Sequence, residues 1–401
     1  MKRPRIIIPI VVVIALAAVL AAVFTATPAR GAATLPTLTP AELISKMVAE
    51  LPNVKAVHGD FAWSNQLLGS GSLPAEAPAE LKQLFPAGSG TIWYQDGKIK
   101  VEAGNGTDTA TAVKSGDSLW FFSALTNTAT EVALPARPVD TAHAMPALTP
   151  ALVQLCLNRF SSTAALAVSQ ETVAGRDAYV LTLTPATTAT TLGSASLAVD
   201  AQTFVPLRVQ VFARDSAEPV LSVGFTSISY EPVDAGESTF TPPPGATVKH
   251  VAMPAKAHAG HEGWAQGGMW RLFRELPLRQ ARTAVGFPML ALRRAAAPLE
   301  FQAAYVLPLK GHGKVAALRY GSGFGTVALA QGRLTAAEQR ELRQDLAGLS
   351  LAKRATVGAA RGYVISTPLL NVMVWQTGGV THVAGGAVPL PELQRFVGAL
   401  R

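Results

Sequence analysis

The sequence predicts an α+β protein built largely of antiparallel strands, with two folded units behind an amino-terminal export segment. Three observations predict it. Residues 176–249 read as successive strands with period-two alternation, ending in the proline-rich stretch Phe240-Thr241-Pro242-Pro243-Pro244-Gly245-Ala246. Helical signals are few and short, and two of them open on capping boxes. The charge changes sign along the chain: residues 34–250 carry 12 Lys/Arg against 19 Asp/Glu, and residues 251–401 carry 18 against 7. At 401 residues the chain exceeds the usual single-domain size, and 49% hydrophobic content is ample for two cores.

The amino terminus comes first. Lys2, Arg3 and Arg5 precede an apolar run from Ile6 to Phe24, followed by small residues at Gly31-Ala32-Ala33 or Ala29-Arg30-Gly31. This is the charged, apolar and small-residue order of a secretory signal. The run approaches the roughly 20 residues that span a bilayer, so cleavage and retention as a single anchor both fit. Either way the remainder is placed outside the cytoplasmic membrane, in the periplasm or beyond. The single cysteine, Cys156, allows no internal disulfide.

Thr39-Pro40-Ala41-Glu42 is a capping box with proline at the first helical position, and Leu43, Ile44, Met47, Val48 and Leu51 then recur on one face. From Phe61 and Trp63 the period becomes two. Asp96-Gly97 between Trp93-Tyr94 and Ile99 to Val101 is a hairpin signal. Further strands are expected at Ser118 to Phe122 and near Thr130 to Leu134. Thr149-Pro150 opens a second helix that carries Cys156 inward. Tyr179, Leu181 and Leu183, then Leu207, Val209 and Val211, then Leu221, Val223 and Phe225 each share a face. This is the pattern of antiparallel strands with one face packed or occupied.

Residues 251–283 read as a linker, and a smaller α+β unit follows over 284–401. Its expected strands include Phe301 to Leu309, Val315 to Tyr320 and Leu370 to Gln376. Thr335-Ala336-Ala337-Glu338 opens one helix, and a last helix from Pro391 places Leu393, Phe396, Val397 and Leu400 on one face. Gly321-Ser322-Gly323-Phe324-Gly325 lacks the Lys-Ser/Thr of a phosphate loop and reads as a hairpin turn.

Chemistry is sparse. The chain has no Gly-x-Ser-x-Gly elbow, no His-Glu-x-x-His and no dinucleotide fingerprint, and nothing supplies nucleophile, base and oxyanion donor together. His258 and His261 lack further ligands, and Asp60 beside His58 reads as a surface pair. The expectation is therefore no enzyme, no catalytic residue, no metal and no cofactor. The scattered basic residues carry no nucleic-acid motif, so nucleic acid is not an expected partner.

In residues 40–250 the Leu-rich first helix precedes Gly59-Asp60-Phe61. The Trp93 to Gly97 hairpin, the Gly116 to Phe122 strand and Val173-Ala174-Gly175-Arg176-Asp177-Ala178-Tyr179 follow in order. Then come Ala198-Val199-Asp200, Pro206-Leu207 and the closing Phe240 to Ala246. This order resembles the LolA-like envelope lipoprotein carriers and the amino-terminal domain of the RseB (MucB) family. The resemblance implies an unclosed antiparallel half-barrel with helices across its concave face, enclosing an apolar cavity for acyl chains or lipidated peptides. Phe61, Trp63, Tyr94, Trp120, Phe122, Tyr179, Leu181, Val209, Val223 and Phe225 are the expected lining, and lipids or lipoproteins the expected partners. Two other readings stand beside the carrier. One is an RseB-like stress regulator contacting a membrane-bound anti-sigma factor. The other is an envelope scaffold whose core is simply filled.

Overall fold

The computed structural model describes residues 35–67, 87–106, 109–133, 163–234, 240–252, 275–292, 299–309, 313–357 and 360–401. The export segment, the helix expected from Thr149 with Cys156, and His258 and His261 lie outside the described residues. Among the described residues, no helix is long and apolar enough to cross a membrane.

The first lobe is an unclosed sheet of 12 strands among the described residues. They are β1 (Ala56–Asn65), β2 (Ala87–Gln95), β3 (Lys98–Gly104), β4 (Thr109–Ser115), β5 (Ser118–Ser123), β6 (Thr128–Ala133), β7 (Ala164–Val173), β8 (Arg176–Pro185), β9 (Leu192–Asp200), β10 (Pro206–Ala213), β11 (Pro219–Phe225) and β12 (Thr247–Ala252). Their order is β12-β6-β5-β4-β3-β2-β1-β11-β10-β9-β8-β7, two meanders joined where β1 pairs with β11. Asp96 and Gly97 have φ of 49° and 81°, the left-handed pair that the β2–β3 hairpin requires.

The sheet is antiparallel except at one edge, where β12 lies parallel to β6. The proline stretch brings it there. Phe240 packs on Trp120 and Phe122, Gly245 turns the chain at φ 81°, and Asn127 Nδ2 donates to the Gly245 carbonyl.

Helix α1 (Pro40–Glu50) starts at the expected capping box. The Glu42 amide donates to Thr39 Oγ1 and the Thr39 amide to Glu42 Oε2. Its Leu43 and Met47 are buried on Tyr179, Leu181, Leu197, Val199 and Phe204, and each contributes about 1.5–3 kcal/mol by leaving water. The face that α1 covers is the inner face.

The turn after β9 explains the Arg176-Asp177 and Val199-Asp200 pattern. Asp200 Oδ1 accepts from the amides of Gln202 and Thr203, and Asp200 Oδ2 lies 2.7 Å from Arg176 Nε. Burial alone raises the Asp200 pKa, but Arg176 and the two amides outweigh it and hold the carboxyl below its usual range.

The second lobe is a smaller α+β unit. Its seven strands among the described residues are β13 (Phe301–Leu309), β14 (Gly313–Tyr320), β15 (Val327–Gly332), β16 (Ala352–Val357), β17 (Ala360–Ser366), β18 (Asn371–Thr377) and β19 (Val380–Gly386). They run in the order β13-β14-β15-β19-β18-β17-β16.

Helices α2 (Leu278–Val285) and α4 (Leu390–Ala399) bury Ala281, Val285, Leu393, Phe396 and Val397 against one face, where Met373 and Trp375 point. Helix α3 (Ala336–Gly348) buries Leu342 and Leu346 against Val372 and Val374 on the other. The expected capping box at Thr335 is formed, and Leu393, Phe396, Val397 and Leu400 are all buried as the spacing predicts. The glycine-rich segment 321–325 is the β14–β15 connection, with a short 3-10 turn at Gly323–Gly325.

Candidate functional site

Residues directly opposite one another in an antiparallel sheet project to the same face, so the strand register sorts the expected lining. One inner row runs Leu181, Leu197, Val209, Val223, Trp63. The next pairs Phe225 with Phe61 and Phe61 with Gly90, and the row after it runs from Gly59 through Ile92, Val101 and Ala112 to Phe121. Tyr94 lies opposite Val57 on the same face.

Trp120 and Phe122 fall on the other face. Register puts Trp120 in line with His58, Trp93, Lys100 and Val113, and Phe122 in line with Asp60, Thr91, Glu102 and Thr111. There they pack on Phe240 at ring separations of 5.6 and 5.9 Å, and Trp120 also meets His250 at 6.3 Å. These two aromatics seat the proline clasp.

The remaining eight divide by exposure. Tyr179 and Leu181 are each 3% exposed beneath α1, and Tyr94 is buried with Val57 and Val205 near Leu51. Tyr179 stacks on Phe204 and donates its hydroxyl to the Pro36 carbonyl at 3.0 Å, while burial pushes its phenol pKa up. These three side chains are core. Phe61, Trp63, Val209 and Phe225 are half-buried, and Val223 is 44% exposed.

Phe121, at 48% exposure, belongs to the same floor, with Ile92 and Val101 between it and β1. An apolar residue this exposed in the middle of a sheet face has water where a packed core would have a neighbour.

Two glycines shape the floor. A Cβ on Gly88 would sit 2.3 Å from Trp63 Cζ2, and one on Gly90 would sit 2.8 Å from Phe61 Cζ. The two rings therefore lie over β2, with centroids 6.0 Å apart, instead of standing above the sheet. Lys114 and Lys249 sit on the inner rows at β4 and β12, where pairing with Leu119 and Thr130 places them.

The acidic side chain nearest this floor in sequence points away from it. Asp60 is on the outer face, where it accepts from Thr91 Oγ1 at 2.8 Å and Ser227 Oγ at 3.0 Å and so pins the bulge that follows β11. Gly59 serves that bulge, since a Cβ there would meet the Ser227 carbonyl oxygen at 2.1 Å. Among the described residues, no group of three or more His, Cys, Asp or Glu is placed to hold a metal. The described floor is an apolar surface with Lys114 and Lys249 on its rows.

The chain is similar to MucB. The solved complex of MucB with MucA(peri) shares 14% identity at a TM-score of 0.43, over 90% of this chain and 98% of that one. The Pseudomonas aeruginosa MucA/MucB complex shares 16% at 0.39, over 89% of this chain and 97% of that one. A LolA superfamily protein from Nitrosomonas europaea shares 11% at 0.20, over 51% of this chain and 99% of that one. No family model matches the sequence, and no curated protein matches it. Residue roles come from the side chains described above.

Proposed function

We propose that this is an extracytoplasmic binding protein, not an enzyme, that holds acyl chains of a lipid or lipoprotein on the inner face of its first lobe. The observation that carries the reading is the apolar floor of Phe61, Trp63, Val223 and Phe121, which the protein's own core leaves partly in water. Each buried methylene gains about 0.8 kcal/mol, so ten would supply roughly 8 kcal/mol before the costs of association. Burial of methylenes alone is enough for binding of that strength, without a specific polar contact. The test is organic extraction of the purified mature protein followed by mass spectrometry. Co-purifying acylated species at near one per protein support the proposal, and a lipid-free protein that also fails to take up fatty acid sinks it.

A regulatory reading is favoured by a different observation, the direct contact between lobes. Thr190 Oγ1 donates to the Ala387 carbonyl at 2.7 Å and Thr191 Oγ1 to the Leu369 carbonyl at 2.6 Å. A ligand in lobe one then has a physical route to lobe two and to any membrane-bound partner there. Capture of such a partner by full-length protein would change with lipid loading under this reading, and would not under simple carriage.

A further inference from the structure

The two lobes meet at the inner face of the first sheet. The β8–β9 connection is bound to lobe two by the two threonine hydroxyls and by the Thr191 amide, which donates to the Ala387 carbonyl at 2.9 Å. Arg214 holds that connection from behind, donating to the carbonyls of Thr190 and Thr187. On this base lobe two inserts two apolar side chains into lobe one. Phe324, from the glycine-rich β14–β15 turn, and Leu369 are buried among Leu183, Ala195, Val211 and Val220, with Leu67 and Leu221 at the margin. A Cβ on Gly323 would sit 2.9 Å from Thr163, so the turn itself abuts lobe one.

The position of this insertion matters. Val211 and Leu221 form the row next to Val209, Val223 and Trp63, two residues further along the same strands, or about 7 Å. At the other end of β1 and β11 the floor closes on lobe one's own cluster of Val57, Tyr94 and Leu51. A chain lying along β1 and β11 therefore has one end bounded by lobe one and the other by lobe two.

We infer that lobe two supplies the end wall of the acyl site, with Phe324 and Leu369 as the residues that set how long a chain it accepts. The inference rests on the acyl-binding reading above and adds a specific role for the second lobe. An ordinary lobe–lobe contact would bury the same two side chains, but it would leave ligand length unaffected.

The experiment is displacement of cis-parinaric acid from the full mature chain by saturated fatty acids of increasing length. Wild-type affinity is expected to rise about fourfold per methylene and then stop at one length. In Phe324→Ala the stop moves to longer chains, so that an acid two methylenes beyond the wild-type stop gains about fifteenfold. Leu369→Ala moves it in the same direction, and Phe324→Leu stays near wild type. Circular dichroism confirms that each variant is folded, and a stop that moves in any one folded alanine variant supports the inference. An unchanged stop in the folded alanine variants, or an affinity change equal at all lengths, overturns the end wall and leaves acyl binding standing. Failure of the wild type to bind any of the acids overturns both.

Discussion

The two sheets of this molecule are treated differently by their helices. Lobe two has α2 and α4 on one face and α3 on the other, and its interior strand β18 is buried along Asn371 to Trp375. Lobe one places α1 over β8 and β9 but leaves Val223 and Phe121 in water further along the same inner face. Among the described residues, only lobe two has helices packed on both faces of its sheet. Lobe two is packed on both faces, whereas the exposed apolar side chains of lobe one are the surface that the proposed ligand would cover.

That contrast can be broken by mutation, and the largest effect belongs to lobe two. Phe396 is 3% exposed and meets Tyr320 edge-on at 4.9 Å. Phe396→Ala is expected to cost about 3–5 kcal/mol, read as a lower calorimetric transition for that lobe.

Acid sharpens the same contrast. His382 is buried, stacked on Trp375, with Nε2 on Thr377 Oγ1 and Nδ1 on Gln331 Oε1, and Gln331 in turn holds the Leu290 backbone. Burial lowers its pKa to about 4, below the 6.5 of an exposed histidine. The unfolded chain therefore binds the proton first. No penalty exists above pH 6.5; it grows as pH falls toward 4 and reaches roughly 3 kcal/mol below that. Unfolding of lobe two followed by its tryptophan and histidine signals should show this loss, and His382→Gln should remove the dependence.

Capping comes next. Thr39→Ala and Thr335→Ala each remove a formed capping box and are expected to cost about 1 kcal/mol. In lobe one that loss loosens the helix covering Tyr179 and Leu181, so hydrogen exchange there should quicken.

The smallest stability effect is the most telling. Phe121→Ala changes an exposed side chain and should alter stability by no more than about 0.5 kcal/mol. Acyl affinity should nevertheless fall severalfold in the same variant.

Much of this was legible in the residues. Capping boxes at Thr39 and Thr335, the Asp96-Gly97 turn and the face of the last helix are local signals, and each is realised. The inner face of β8, β10 and β11 was also legible, because apolar and polar residues alternate there. Strand β5 was not. Leu119-Trp120-Phe121-Phe122 is apolar at every position, so periodicity cannot say which pair points inward, and Trp120 and Phe122 face out. Strand β4, Thr-Ala-Thr-Ala-Val, is too weakly apolar to announce itself, and the parallel pairing of β12 follows from a long return of the chain. The lobe–lobe contact is made by threonines, one phenylalanine and one leucine drawn from four separate connections, and no local pattern marks it.

If acyl chains lie on the inner face of lobe one, as proposed, a crosslinking ligand will mark that face. Photolabelling with a diazirine-bearing fatty acid, followed by peptide mapping, tests it most directly. Labels are expected on Phe61, Trp63, Phe121 and Val223, competed away by unlabelled acid. Competed labels on Trp93, Trp120, Phe122 or Val248, all on the outer face, with none on the inner floor, would contradict it.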